Sequence, residues 1–141
     1  ALSAAWQKTA IGRLLRRSLV SRNAWVERFS VLKDPLVAKA FAEMAMRPAD
    51  DHSLQSLAHT ACLSRSAFAA RFTEAIGKAP MQVLRGLRLR QAMFQLKGSG
   101  PAIDLVARNA GYASRSSFTK AFRRTYGIEP SAVRRTDATA V

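Results

Sequence analysis

The chain has 141 residues, 48% of them apolar, with 23 Lys+Arg against 9 Asp+Glu and a net charge of +14. That length and apolar share suit one folded domain, with or without an appendage, and exclude a disordered tail. A single cysteine excludes a disulfide framework and a cysteine-rich metal site, and no apolar run approaches the roughly 18–20 residues of a membrane span.

The charge asks for a polyanionic partner. Residues 1–50 carry +5, residues 51–100 carry +5 and residues 101–141 carry +4. An even spread of this kind is a folded basic surface and not a basic tail.

Strand patterns are nearly absent, and helical spacing recurs along the chain. Leu2, Ala5, Trp6, Ile11, Leu14, Leu15 and Leu19 predict a first helix. Trp25, Val26, Phe29 and Leu32 predict a short second one. Asp34-Pro35 reads as an N-cap followed by a first helical residue, opening a third helix along Leu36, Val37, Ala40, Phe41 and Met44. After a loop over 47–52, Ser53 caps a short helix and Ser64 caps another that carries Phe68 and Phe72. Pro80 opens a long helix to about Lys97, and the Gly98-Ser99-Gly100-Pro101 run breaks it. Ile103 to Ala110 forms a short helix, Ser114 caps a longer one with Phe118 and Phe122, and Pro130 opens a last short turn of helix. The expected class is all-α, with about nine helices.

An internal repeat organises the second half of this pattern. Between 64–80 and 114–130, at an offset of 50, Ser64, Arg65, Ser66, Phe68, Phe72, Gly77 and Pro80 recur as Ser114, Arg115, Ser116, Phe118, Phe122, Gly127 and Pro130. Upstream the offset is 49, pairing Leu54 with Ile103, Leu57 with Val106, Ala58 with Ala107 and Ala61 with Ala110. Each copy is a short helix, a tight turn and a longer serine-capped helix, the outline of a helix-turn-helix. The alanines permit a close helix crossing, Gly111 permits positive φ in the turn, and each i,i+4 phenylalanine pair anchors its helix on the core. The outer face then presents Arg65, Ser66, Ala69 and Ala70 in the first copy, and Arg115, Ser116, Thr119, Lys120 and Arg123 in the second. Short and cationic side chains near a helix N-terminus suit a DNA major groove.

Residues 53–135 resemble the DNA-binding domain of the AraC/XylS family of bacterial transcription regulators. The matching stretches are SLQSLA and SRSAFAARF, GKAP, RLRQA from Arg88, and IDLVARNAGYASRSSFTKAFRRTYGIEPSAVRR. The helix from Pro35 looks like the first helix of that domain. The resemblance implies two helix-turn-helix subdomains, 34–79 and 98–135, joined by a linker helix over 80–97, with 136–141 as a tail. It implies recognition helices at about 64–75 and 114–126 in successive major-groove faces of a promoter site. The base-contact candidates are Arg65, Ser66, Ala69 and Ala70, then Arg115, Ser116, Thr119 and Lys120; arginine can hold guanine bidentately, whereas alanine only touches a thymine methyl. The second reader is thus the richer. Phosphate-contact candidates are Ser53, Arg71, Arg85, Arg123 and Arg124, with the N-terminus at Pro80. Two positions depart from the family pattern. Cys62 stands where the first turn usually has glycine and reads as a buried, inert small residue. Val133 stands where an aromatic is common.

The first 33 residues resemble, more loosely, the closing helices of a cupin-type effector domain, and their apolar stripe can pack on the body or pair with a second copy as a homodimer. The resemblance implies a cytoplasmic, nucleoid-associated regulator that engages promoter DNA and recruits or blocks RNA polymerase, with no cofactor or metal and no enzymatic role. Two rivals share the charge. An enzyme would need more than His52, His59 and the lone Cys62. A basic module for structured RNA or a partner protein would not need two matched recognition helices.

Overall fold

The computed structural model describes residues 34–98 and 100–139. Among the described residues there are seven helices and no strand: α1 Pro35–Met46, α2 Leu54–Thr60, α3 Arg65–Ile76, α4 Pro80–Leu96, α5 Ile103–Asn109, α6 Arg115–Tyr126 and α7 Pro130–Thr139. The two helices expected before Lys33, with the effector-domain likeness and the dimer placed on them, lie outside the described residues. The chain divides between Leu84 and Arg85 into two compact units.

Helix starts follow the capping chemistry of the sequence. Asp34 accepts from the Val37 N–H at 3.4 Å with Pro35 in the first turn. Ser53 and Ser56 cap each other reciprocally, each side-chain oxygen taking the other's backbone N–H at 3.0 and 2.9 Å. Ser64 accepts from Ala67 N–H at 3.2 Å, and Ser114 accepts from Ser117 N–H at 3.1 Å. Each cap gives one of the otherwise orphaned first-turn donors a partner.

In the first unit α1, α2 and α3 pack on one another. Val37, Phe41 and Met44 of α1, Leu57 and Ala58 of α2, and Phe68 and Phe72 of α3 are buried. Phe41 stacks on Phe72 with ring centroids 6.4 Å apart. In the second unit Leu89, Ala92 and Leu96 of α4, Val106 and Ala107 of α5, Phe118 and Phe122 of α6, and Val133 of α7 share one core. Ala58 and Ala107 are both buried, as the close helix crossing in each copy requires.

The two turns repeat bond for bond. Cys62 N–H donates to His59 O at 3.0 Å and Leu63 N–H to Ala58 O at 3.0 Å. Gly111 N–H donates to Arg108 O at 2.9 Å and Tyr112 N–H to Ala107 O at 3.1 Å. Both follow the Schellman pattern, which needs a left-handed residue just past the helix. Gly111 takes it at φ +85 and Cys62 at φ +57. Here the expectation of a buried cysteine is corrected: Cys62 is exposed. The left-handed backbone that closes the turn leaves its side chain on the solvent side of the chain reversal.

The end of the chain also corrects the reading. The expected last turn is a helix of 10 residues, Pro130–Thr139. Arg134 fixes it: its guanidinium donates to Pro101 O at 2.6 Å and to Gln95 O at 2.9 Å. Arg134 thereby serves a carbonyl in the last turn of α4 and one in the loop after it. Gly100 sits in the same corner, where any Cβ would collide with the Gln95 carbonyl.

Candidate nucleic-acid interface

The first reader is α3. Phe68 and Phe72 face inward with centroids 5.5 Å apart and are both fully buried. With that face fixed, Arg65, Ser66 and Ala70 are exposed and Ala69 is half-buried. Arg71 is partly exposed and turned toward Asp34. Its Nε donates to Asp34 Oδ2 at 2.8 Å and its Nη2 to Asp34 Oδ1 at 2.9 Å. Burial raises the Asp34 carboxyl, but Arg71 and the Val37 N–H more than offset it and leave it below its ordinary value of 3.8. Two of the Arg71 donors thus hold α3 to the start of α1, while the side chain stays 42% exposed.

The second reader is α6. Phe118 and Phe122 are its buried anchors, with centroids 5.6 Å apart, and Tyr112 and Tyr126 extend the ring cluster at 5.8 and 4.9 Å. Arg115, Ser116 and Lys120 are exposed and Thr119 is half-buried. Lys120, Arg123 and Arg124 line an open concavity of about 410 Å³ on the same helix. Arg123 also approaches Glu129 at 3.5 Å, and both side chains are at least half exposed. α6 carries four cationic side chains and no acidic one, whereas α3 carries two and Glu74.

Around the second turn, basic groups converge on one phenol. Burial raises the Tyr112 hydroxyl above its ordinary value of 10.0, against the opposing fields of Arg85, Arg124 and Arg88. Arg88 lies under the turn, its Nη1 only 3.1 Å from where a Cβ on Gly111 would stand. Arg85 is exposed, as is Ser53, whose hydroxyl is already engaged in its cap. Three contacts escaped the sequence reading: Arg71 with Asp34, Arg134 with Gln95 and Pro101, and Arg115 with Asp104 at 3.7 Å. Each joins residues too far apart in the chain for helical periodicity to pair them.

A helix-turn-helix domain model matches residues 57–136. A Streptomyces lividans protein described as an AraC-like transcription regulator is 36% identical over 104 residues, covering 74% of this chain and 34% of that protein. The chain belongs to the AraC/XylS family. The Escherichia coli K12 activator RclR is 35% identical over 105 residues, covering 74% of this chain and 37% of that protein. The chain thus spans about a third of the length of these family members. Among solved structures, the DNA-binding domain of AdpA, a global transcriptional factor in complex with a target DNA, is 31% identical with a TM-score of 0.67. That likeness covers 74% of this chain and 94% of the AdpA domain. An AraC-type structure from Chromobacterium violaceum, 23% identical, shares the fold at a TM-score of 0.69 over 75% of this chain and 95% of its own. No helix among the described residues is long and apolar enough to cross a membrane.

Proposed function

We propose that the chain is the DNA-binding part of a transcription regulator that reads duplex DNA through two recognition helices, α3 and α6. The observation that carries the proposal is the repeat. Two helix-turn-helix copies share their turn hydrogen bonds, their serine caps and their inward phenylalanine pairs. What each leaves outward is a short-chained, cationic face at a helix N-terminus. Likeness to the AdpA domain, which is in complex with a target DNA, supports the same use.

The roles divide by side-chain chemistry. Arg115 and Lys120 are the hydrogen-bonding readers of α6, with Ser116 and Thr119 between them; Arg65 and Ser66 serve α3, while Ala69 and Ala70 admit close contact with thymine methyls. Arg123, Arg124 and Arg85 supply sequence-independent phosphate attraction. Contact with RNA polymerase belongs to the same proposal. It covers the domain limits as well, with 34–79 and 98–135 as the two subdomains.

The test is selection from random ~25-bp duplexes at two salt concentrations, with the length set to cover two half-sites. The expected result is two enriched boxes, the richer one assigned to α6. Retention without an enriched motif, falling steeply with salt, would reduce the chain to a phosphate binder and overturn the proposal in favour of a non-specific basic module.

A further inference from the structure

Beside the second reader stands a carboxylate that the first copy lacks at the matching position. Asp104 lies in the first turn of α5, and Arg115 is the first residue of α6. Asp104 Oδ1 stands 3.7 Å from Arg115 Nη1, at the mouth of a cleft of about 170 Å³ that Ala113 and Ser114 also line. At the offset of 49 that relates the short first helices the residue matching Asp104 is Gln55, and at the offset of 50 that relates the recognition helices the match of Arg115 is Arg65. No carboxylate among the described residues pairs with Arg65. The two arginines are equivalent in the repeat and unequal in their surroundings.

Resting on the DNA-reading role of α6, we propose that Asp104 is a specificity-determining positioning residue that makes Arg115 a base reader and not a phosphate clamp. A guanidinium presents five N–H donors in a fixed fork. Asp104 occupies the Nη1 side, and the remaining donors stay available for guanine O6 and N7. The carboxylate restrains a long side chain that would otherwise lose its rotamer freedom on binding. It also repels the phosphate backbone, the competing acceptor for the same arginine. In free solution the pair is exposed, 54% for Arg115 and 69% for Asp104, so it contributes little to folding. Removal of water at a DNA contact strengthens it where it acts. Arg65, for which the repeat places the neutral Gln55 where Asp104 stands in the second copy, has no such guard.

The test compares wild type with Asp104→Asn, Asp104→Glu, Arg115→Ala and the Asp104→Asn/Arg115→Ala pair, by duplex selection and by binding to a scrambled duplex across salt. Asp104→Asn is expected to lower guanine preference at one position by about three- to tenfold, part of what a bidentate arginine contact supplies. On the scrambled duplex it is expected to bind more tightly and to steepen the salt slope by about 0.9, one added phosphate contact. Asp104→Glu keeps the preference. With Arg115 already alanine, Asp104→Asn changes no base preference. An Asp104→Asn protein with unaltered preference, or with a loss spread evenly over all positions, overturns the inference while leaving the DNA reading intact. A wild-type protein with no base preference overturns both.

Discussion

Arg71 offers the sharpest separation between holding the fold and holding DNA. Its fork grips Asp34 at 2.8 and 2.9 Å, and Asp34 also accepts from Val37 N–H at 3.4 Å. Arg71 is 42% exposed and Asp34 15%, so the pair sits near the upper end of the exposed range, about 1 kcal/mol. The cap bond is long and falls in the lower part of the capping range, about 0.5 kcal/mol. Asp34→Ala is then expected to cost about 1.5 kcal/mol and Arg71→Ala about 1 kcal/mol, with a coupling near 1 kcal/mol in a double-mutant cycle by urea unfolding. The coupling has a definite pH dependence. Because the folded Asp34 carboxyl is held below its ordinary 3.8, its contribution is full above that pH and is lost as pH falls through the lowered value. Arg71→Ala is also expected to leave the salt slope of DNA binding unchanged. A coupling below about 0.3 kcal/mol, or a slope reduced by about 0.9, would refute the structural role and return Arg71 to the phosphates.

Other outcomes follow from the turns, the phenols and the outer face of α6. Cys62 holds φ +57, so Cys62→Gly is expected to stabilise the first unit by about 1 kcal/mol in urea melts. Gly111→Ala is expected to cost about 1–2 kcal/mol, since it adds a left-handed Cβ 3.1 Å from Arg88 Nη1. Burial raises the hydroxyls of Tyr112 and Tyr126 above 10.0. Their contribution is therefore full below pH 10 and is lost as pH rises through the raised folded values, so Tyr112→Phe is expected to shrink the loss of urea stability between pH 9 and pH 11. Arg124→Ala is expected to weaken binding to all duplexes alike and to flatten the salt slope by about 0.9, whereas Lys120→Ala is expected to change preference at particular base positions.

Much of this fold is written locally. A cap residue followed by an apolar stripe signals a helix start within four residues, which is why Asp34, Ser53, Ser64 and Ser114 were legible. The phenylalanine pairs were legible for the same reason, being i,i+4 neighbours whose burial fixes which face is left outward. Gly111 announced its own turn, but Cys62 did not, because a cysteine at positive φ carries no compositional signal and its exposure follows from the backbone alone. The final helix was underestimated for want of a stripe: among its described side chains only Pro130 and Val133 are buried. What anchors it is Arg134, reaching carbonyls 33 and 39 residues away. Arg71 with Asp34 spans 37 residues. Periodicity cannot pair polar groups across such distances, so the candidate readers were visible from sequence while the carboxylates that restrain Arg71 and Arg115 were not.

The central claim is that each helix-turn-helix reads its own bases. Duplex selection repeated with Arg65→Ala and with Arg115→Ala tests it directly. The account predicts that each substitution relaxes preference at one or two positions, in different boxes, and leaves the other box intact. Uniform loss of affinity with every base preference retained would make both arginines phosphate contacts and contradict the two-reader account.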